Sequence, residues 1–293
     1  MAAFWQQVVS GLATGGIYAS LALGIVIVYR STRVINFAQG EMATFSTFVA
    51  WELIDQGVTY WLAFFLTLAV SFAGGVLLER VVIRPVERAP VLTIVMVTLG
   101  LLILINGLTF WKWGGDEKSF PSAFSTRPIH IGGVAFSIQD FGVIGVSVGA
   151  VVLLYLLFEF TKVGLALRAA ALNPDASRLL GVRVSWMLAL GWGLAAVLGA
   201  LSGMMTAPTT FLDPNMMQGV LLYALAAAVL GGLDSPLGAV VGGLSLGVIL
   251  NLVGRWHVIG GGGMRLAVAL AIIVGVLLVR PRGLFGRPVV RRV

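Results

Sequence analysis

Val91-Leu92-Thr93-Ile94-Val95-Met96-Val97-Thr98-Leu99-Gly100-Leu101-Leu102-Ile103-Leu104-Ile105-Asn106-Gly107-Leu108-Thr109-Phe110 runs for twenty residues without one charge. As an α-helix this stretch rises about 30 Å, the thickness of a bilayer's hydrocarbon core. Eight more apolar runs lie around it, at 5–29, 37–54, 61–80, 141–160, 186–206, 218–232, 237–254 and 265–280. They are continuously apolar, not alternating, which excludes an antiparallel barrel. Apolar residues make up 59% of the 293-residue chain and charged residues 11%, too few charges to cover a water-facing surface. The expectation is an all-α, polytopic integral membrane protein with about 8–9 transmembrane helices, forming one membrane domain over 1–293. The runs at 218–232 and 265–280 are short for spans, which predicts tilted or broken helices.

The basic residues set the orientation. With the N-terminus outside and the spans alternating, 14 of the 19 Lys and Arg fall on inner connections: Arg30, Arg33, Arg80, Arg84, Arg88, Lys162, Arg168, Arg178, Arg183 and the tail arginines 280, 282, 287, 291 and 292. Lys112, Lys118, Arg127, Arg255 and Arg265 remain outside. This positive-inside bias predicts a cytoplasmic C-terminus. The net charge of +7 is thereby accounted for at span ends, with no basic surface for nucleic acid. The first run carries no basic n-region and is too long for a signal peptide, so it reads as an uncleaved span. Trp5, Trp51, Trp61, Trp111 and Trp113 stand at predicted boundaries, as an interfacial belt requires. Without cysteine, and with His130 and His257 isolated in polar connections, no metal site is expected.

An internal echo breaks the apolar monotony. Asn36-Phe37-Ala38-Gln39-Gly40 recurs as Asn215-Met216-Met217-Gln218-Gly219, each copy reading Asn-x-x-Gln-Gly at the start of an apolar run. The first lies at the inner end of the second span and the second at the outer end of the seventh. Two copies of opposite orientation form an inverted-topology repeat, the arrangement that lets a transporter open to either side. Asn and Gln can satisfy backbone that leaves the helix at membrane depth, and Gly permits the turn. A re-entrant gate is one reading. An ordinary loop with Asn36 as helix cap is the other. Glu41 follows at once, and a mid-membrane charge costs about 2.5–3.5 kcal/mol on insertion scales. Arg30 or Arg33 could pair with it, or it could meet a solute. Asn106 is open to helix–helix hydrogen bonding or to lining a pathway. Asn36, Gln39, Gly40, Glu41, Asn106, Asn215 and Gln218 are thus the candidate pathway or gate residues. Gly231-Gly232, Gly238, Gly242-Gly243 and Gly247 are spaced for close helix packing, whereas Gly260 to Gly263 form an outer turn without the context of a phosphate loop.

The inner connection 161–183 is longer than the rest and amphipathic. Asn173 as N-cap, Pro174 in the first turn and Gly181 at the end predict a short helix over 174–180. Leu179 and Leu180 make one side apolar, while Asp175 and Arg178 keep another polar. Such a helix could lie on lipid or dock into a partner's groove.

Five blocks, in order, resemble the LivH-type branched-chain amino acid ABC transporter permeases: Val34-Ile35-Asn36-Phe37-Ala38-Gln39-Gly40-Glu41, Glu79 to Val86, Gly164 to Gly181, Leu230-Gly231-Gly232-Leu233-Asp234-Ser235-Pro236-Leu237-Gly238-Ala239 and Arg280-Pro281-Arg282-Gly283-Leu284-Phe285-Gly286. The likeness covers essentially the whole chain. It implies half of a heterodimeric channel with a second related permease, two cytoplasmic ABC ATPases and an extracytoplasmic solute-binding protein. Gly164, Arg168, Asn173, Pro174, Leu179, Leu180 and Gly181 would then couple to the ATPases. The expected function is import of branched-chain or other hydrophobic amino acids by alternating access. Urea, short amides or aromatic acids are the alternative solutes. None of the three lysines lies in a Walker motif, so ATP and Mg belong to the partners, and no cofactor or enzyme activity is expected in this chain. An ion-coupled secondary transporter would need deep carboxylates, and only Glu41 qualifies. A passive channel for a small neutral solute is a further rival.

Overall fold

In the computed structural model, which describes residues 2–125, 127–131, 134–255 and 263–286, the nine apolar runs become nine helices. These are α1 (Ala2–Thr32), α2 (Gln39–Asp55), α3 (Tyr60–Leu78), α4 (Val91–Trp113), α5 (Ile138–Phe160), α8 (Val184–Thr210), α9 (Met216–Gly231), α10 (Pro236–Arg255) and α11 (Gly263–Val279). Two more helices, α6 (Lys162–Leu172) and α7 (Pro174–Leu179), occupy the connection between α5 and α8. The one sheet among the described residues is a two-stranded hairpin, β1 (Pro128–Ile131) with β2 (Val134–Ser137), in the long connection after α4. Among the described residues six helices are long and apolar enough to cross a membrane unaided, α3 being extended for this by a π turn at Glu79–Ile83 and a 3-10 turn at Arg84–Val86. The remaining three, α2, α9 and α11, are only 16 or 17 residues long.

The hub is α1, wrapped by α5, α8, α9 and α10, and Leu21, Ala22, Ile25 and Val26 are wholly buried. Lipid tails offer no hydrophobic drive for helices to associate, so close backbone approach has to hold them. Gly11, Gly15 and Ala19 recur every four residues along one stripe of α1 and meet Gly243 and Gly247 of α10. A Cβ on Gly11 would lie 2.7 Å from Val248 Cα, and one on Gly243 would run into Ala19. The Asn251 amide donates to Thr14 Oγ1 at 3.2 Å across the same seam. The glycine spacing predicted from the sequence thus has its purpose here.

The contacts sort the connections onto two faces, as strict alternation requires. On one face Arg33 pairs with Asp234 at 2.7 Å and the Arg80 guanidinium stacks over Trp186 at 3.7 Å. There too the backbone N–H groups of Leu284 and Phe285 donate to the carbonyls of Leu230 and Gly231. That last contact caps the end of α9 with the post-α11 segment and brings the Leu230–Ala239 and Arg280–Gly286 blocks together in space. On the other face Lys112 pairs with Glu52, Lys118 bridges Leu212 as an isolated antiparallel pair and Ser10 donates to Asp140. Trp5, Trp61 and Trp111 are exposed as an interfacial belt requires. Trp113 is not in that belt. It stacks on Phe48 with ring centres 5.1 Å apart and meets Phe45 edge-on, so apolar packing has taken it inward. The expectations for His257, Gly260–Gly262 and Arg287, Arg291 and Arg292 lie outside the described residues.

The Arg33–Asp234 pair is well exposed, its side chains 60% and 44% accessible, and exposed pairs contribute about 0–1 kcal/mol. Asp234→Asn is therefore expected to lower stability by less than about 1 kcal/mol, measured as a small shift in detergent thermal unfolding.

Candidate functional site

Both copies of Asn-x-x-Gln-Gly build the same local structure. The backbone N–H of Gln39 donates to the Asn36 carbonyl at 3.3 Å, and that of Gln218 to the Asn215 carbonyl at 3.0 Å. In each copy the two amide side chains also bond to each other, at 3.2 Å between Asn36 and Gln39 and 2.8 Å between Asn215 and Gln218. Each turn is preceded by a residue in an unfavourable backbone region. Arg33 (φ 59°) and Phe211 (φ 62°) are the non-glycine residues of positive φ among the described residues. A side-chain-bearing residue there costs of order 1–3 kcal/mol, which marks a chain reversal held by its surroundings. Asn36 does not cap α2 directly. The N-cap is Ala38, and Asn36 Oδ1 instead accepts the Ala38 N–H at 3.0 Å, closing the turn before the helix.

Both turns lie well inside the helical layer. Gln39 Nε2 donates to the carbonyl of Ala195 at 2.7 Å, and Ala195 lies about 16 Å along α8 from its start at 1.5 Å per residue. Gly24 and Gly199 flank the Gln39 amide, leaving room for it between α1 and α8. Asn215 is bonded to Asn106, about 10 Å from the end of α4 by the same rise. The chain thus enters the layer from opposite faces and starts a short helix at depth each time.

Between the two helix starts sits Glu41, with 2% of its surface exposed. Its Oε2 accepts from Asn106 Nδ2 at 3.1 Å, and the same amide nitrogen lies 3.2 Å from both Asn215 Oδ1 and the Pro214 carbonyl. Gln218 is also within reach of the carboxylate, and Asp213 is a like charge that acts on it. Of the readings open for Glu41, a place in the bundle interior is the one found: it is bonded to Asn106, while Arg33 is engaged by Asp234 instead. Amides and helix N-termini do the work of a counter-ion here, each terminus favouring a nearby carboxylate by about 0.3–1 kcal/mol. Gly40 closes the joint, since a Cβ on it would lie 3.3 Å from Leu221 of α9.

The two copies differ in exposure. Asn36, Gln39, Gly40 and Glu41 are buried, whereas Asn215, Gln218 and Gly219 are exposed. Gly219, and Gly107 of α4 beside Asn106, have open space next to them. The first copy is an internal anchor, and the second presents amides on an open surface of the chain. Asp213, Pro214 and Ala195 complete the arrangement. Two of them act through carbonyls, which no residue pattern advertises.

A second group of candidates lies on the Arg-rich face. Thr161 caps α6, its Oγ1 accepting from Gly164 N at 3.0 Å. Asn173 caps α7, its Oδ1 accepting from Ala176 N at 3.0 Å, with Pro174 in the first turn. Gly181 at φ 82° ends the motif. The short helix at 174–180 is thus found to within a residue, while α6 before it was not anticipated. Thr161, a β-region cap three residues before Gly164, was its one local signal. A Cβ on Gly164 would press on the carbonyl of Leu157, so only glycine lets α6 fold back against α5. Leu179 and Leu180 are 90% and 84% exposed, and Arg178 pairs with Asp175 on the other side of the helix. Arg168 pairs with Glu159 of α5 at 2.6 Å. Among the described residues no three His, Cys, Asp or Glu side chains gather to hold a metal.

Comparison with known proteins places this geometry in context. A family model described as "Branched-chain amino acid transport system / permease component" matches residues 7–280. The chain is 29% identical to the high-affinity branched-chain amino acid transport system permease protein LivH of Escherichia coli K12, covering 99% of this chain and 98% of that one. It is 30% identical to the corresponding protein BraD of Pseudomonas aeruginosa, with the same coverage. A shorter match, 32% identical over 53% of this chain and 44% of the relative, is to the xylose/arabinose import permease protein XylH of Sulfolobus acidocaldarius. Among solved structures, PsaBC from Streptococcus pneumoniae in complex with Fab shares the fold, with a TM-score of 0.51, 14% identity, and 95% of this chain and 92% of that chain covered.

Proposed function

Because the chain belongs to the branched-chain amino acid transport permease family, we propose that it moves branched-chain or other hydrophobic amino acids across a bacterial inner membrane as one half of a paired permease. It is a multi-pass permease component of ABC-type transport. The observation that carries the finer reading is the joint where α2 and α9, begun at depth from opposite faces, meet over Glu41 and Asn106. A helix started inside the layer has half-exposed polar termini and can tilt without crossing the whole bilayer. The exposed amides Asn215 and Gln218 beside Gly219 form the surface that a second, related permease would face. Solute passes between the two.

Energy enters from the Arg-rich face. Two cytoplasmic ATPases dock on α6–α7 of each half, and their closure on ATP tilts the spans attached to it, giving alternating access. An extracytoplasmic binding protein delivers the solute to the opposite face. The near-absence of charge along the path suits a zwitterion with an apolar side chain. The likeness to a sugar permease favours one alternative, a neutral polyol recognised by the same amides. Uptake of radiolabelled leucine and arabinose by proteoliposomes holding the full assembly separates the two. Leucine uptake undiminished when the ATPases are left out would instead make the chain a secondary transporter or channel.

Orientation can be tested directly, since the chain has no cysteine to mask. Asp175→Cys is expected to be labelled by an impermeant maleimide only after the cells are opened, and Glu117→Cys in intact cells. The reverse pattern would invert the topology and remove α7 from the ATPases' side.

A further inference from the structure

A crevice of about 280 Å³ opens on the Arg-rich face between α7 and the turn that joins α3 to α4. Asp175 and Arg178 line it from α7, and Ile83 and Glu87 from the turn. Ile94 of α4 and Val184 of α8 complete the part that matters here. Helix α7 packs mainly on α6 and more lightly on α8, so the crevice stands between the coupling helix and the α3–α4 pair.

The charges around it are unequally satisfied. Arg178 donates through Nη1 to Asp175, on its own helix, at 3.0 Å, and the two side chains are 47% and 89% exposed. A pair so open to water adds little stability, and the guanidinium has further N–H donors to offer. Glu87 is in the opposite position. Its Oε2 is shut away from water and accepts from no donor, a costly state for a carboxylate oxygen. Glu79, 1% exposed, leaves its own Oε2 unbonded as well and feels Glu87 as a like charge. Arg84 and Arg80 act on Glu79 from the same turn, but Arg80 is stacked over Trp186. A cation brought to Glu87 would relieve both carboxylates.

We infer that Glu87 is a positioning residue for coupling: when an ATPase docks, α7 closes on the α3–α4 turn and Arg178 passes from Asp175 to Glu87. The inference rests on the docking of ATPases at α6–α7 proposed above and adds what α7 then presses on. Closure takes Arg178 out of water, which is unfavourable unless a carboxylate receives it. Without Glu87 the arginine would be buried against Ile83 and Ile94, beside the like charge of Arg88. With Glu87 the closed state exchanges a weak, hydrated pair for a sheltered one. The consequence reaches the centre of the molecule. Helix α4, which Ile94 begins to line, also carries Asn106, bonded to both Glu41 and Asn215. Motion of α7 thus gains a route to the joint of α2 and α9 that does not pass through α5 or α8.

Uptake by the full assembly in proteoliposomes tests the proposal, with whichever of leucine and arabinose the wild type carries. Glu87→Ala and Arg178→Ala should each lower uptake about tenfold, as loss of one partner of a sheltered pair does, while the ATPases still copurify. The exchanged variant, Glu87→Arg with Arg178→Glu, should recover to within about threefold of wild type, because coupling within a pair is non-additive. A merely structural role for either residue would give no such rescue. Uptake unchanged in either alanine variant overturns the inference. So does an exchanged variant no better than Arg178→Glu alone, which would mean that Glu87 receives a basic side chain of the ATPase instead. Failure of the underlying reading looks different: the wild-type chain would copurify without ATPases, or transport undiminished when they are left out, and α7 would lose its coupling role altogether.

Discussion

Replacing Leu179 and Leu180 together by aspartate is expected to cut ATP-driven uptake at least a hundredfold while the chain still inserts and folds. In the isolated chain these two side chains are 90% and 84% exposed, so the fold gains little from them, and exposed substitutions usually change stability by under about 0.5 kcal/mol. Helix α7 is held by other means: the Asn173 cap, Pro174 in its first turn and the Gly181 turn. A leucine buried against a partner contributes about 1.5–3 kcal/mol. Losing two therefore costs the docked state about 3–6 kcal/mol, or roughly two to four powers of ten in affinity. Aspartate adds the expense of desolvating a charge. Two measurements check the expectation together, copurification of the ATPases and the amount of chain in the membrane. Normal uptake in this double variant would remove α7 from the coupling role, and loss of the chain itself would show that the leucines serve the fold.

The nine apolar runs were readable because lipid imposes one rule on every span. Nothing comparable tells a sequence reader how deep a span begins. Asn-x-x-Gln-Gly announced two polar breaks, and opposite placement in an alternating topology suggested inversion. That both turns follow a strained residue, Arg33 and Phe211, is a property of backbone angles to which neither side chain gives a clue. The partner of Glu41 is hidden in the sequence for a related reason. Arg30 and Arg33 are near in sequence, but the chain turns inward after Arg33 and carries Glu41 away from them. The group that replaces them, Asn106, is 65 residues further along. Helix α6 went unanticipated because Ala-rich amphipathic sequence reads equally as connection and as surface helix. Its fold-back depends on the absence of a Cβ at Gly164, a fact about space. The exposure difference between Gln39 and Gln218 was equally hidden. Identical residues in repeated motifs acquire different environments only when the remaining helices assemble around them.

Glu41 yields the sharpest separation of stability from transport. Glu41→Ala is expected to lower uptake more than tenfold with little change in thermal unfolding, whereas Glu41→Gln should retain uptake to within about threefold. Two terms of opposite sign explain the stability result. Placing the carboxylate at depth costs about 2.5–3.5 kcal/mol. Its charged hydrogen bond from Asn106 returns about 1.5–3 kcal/mol, and each nearby helix N-terminus adds about 0.3–1 kcal/mol. Removing all of these leaves a small remainder. Transport does not benefit from that cancellation, because Glu41 fixes where the start of α2 stands relative to Asn106, and through it to Asn215 and α9. With alanine the Asn106 amide keeps only Pro214 and Asn215, so α4 stays joined to α9 while α2 loses its polar tie to both. Motion entering through one helix then no longer reaches the other. Glutamine keeps an acceptor at the same place, and its added N–H₂ can donate to the amide oxygen of Gln218. Uptake rates set beside unfolding midpoints for both variants decide the matter. If glutamine proves as damaging as alanine, the negative charge itself is required, which points to Glu41 meeting a cation or an ammonium group during transport. If neither variant slows uptake, the joint between α2 and α9 is structural and the path lies elsewhere.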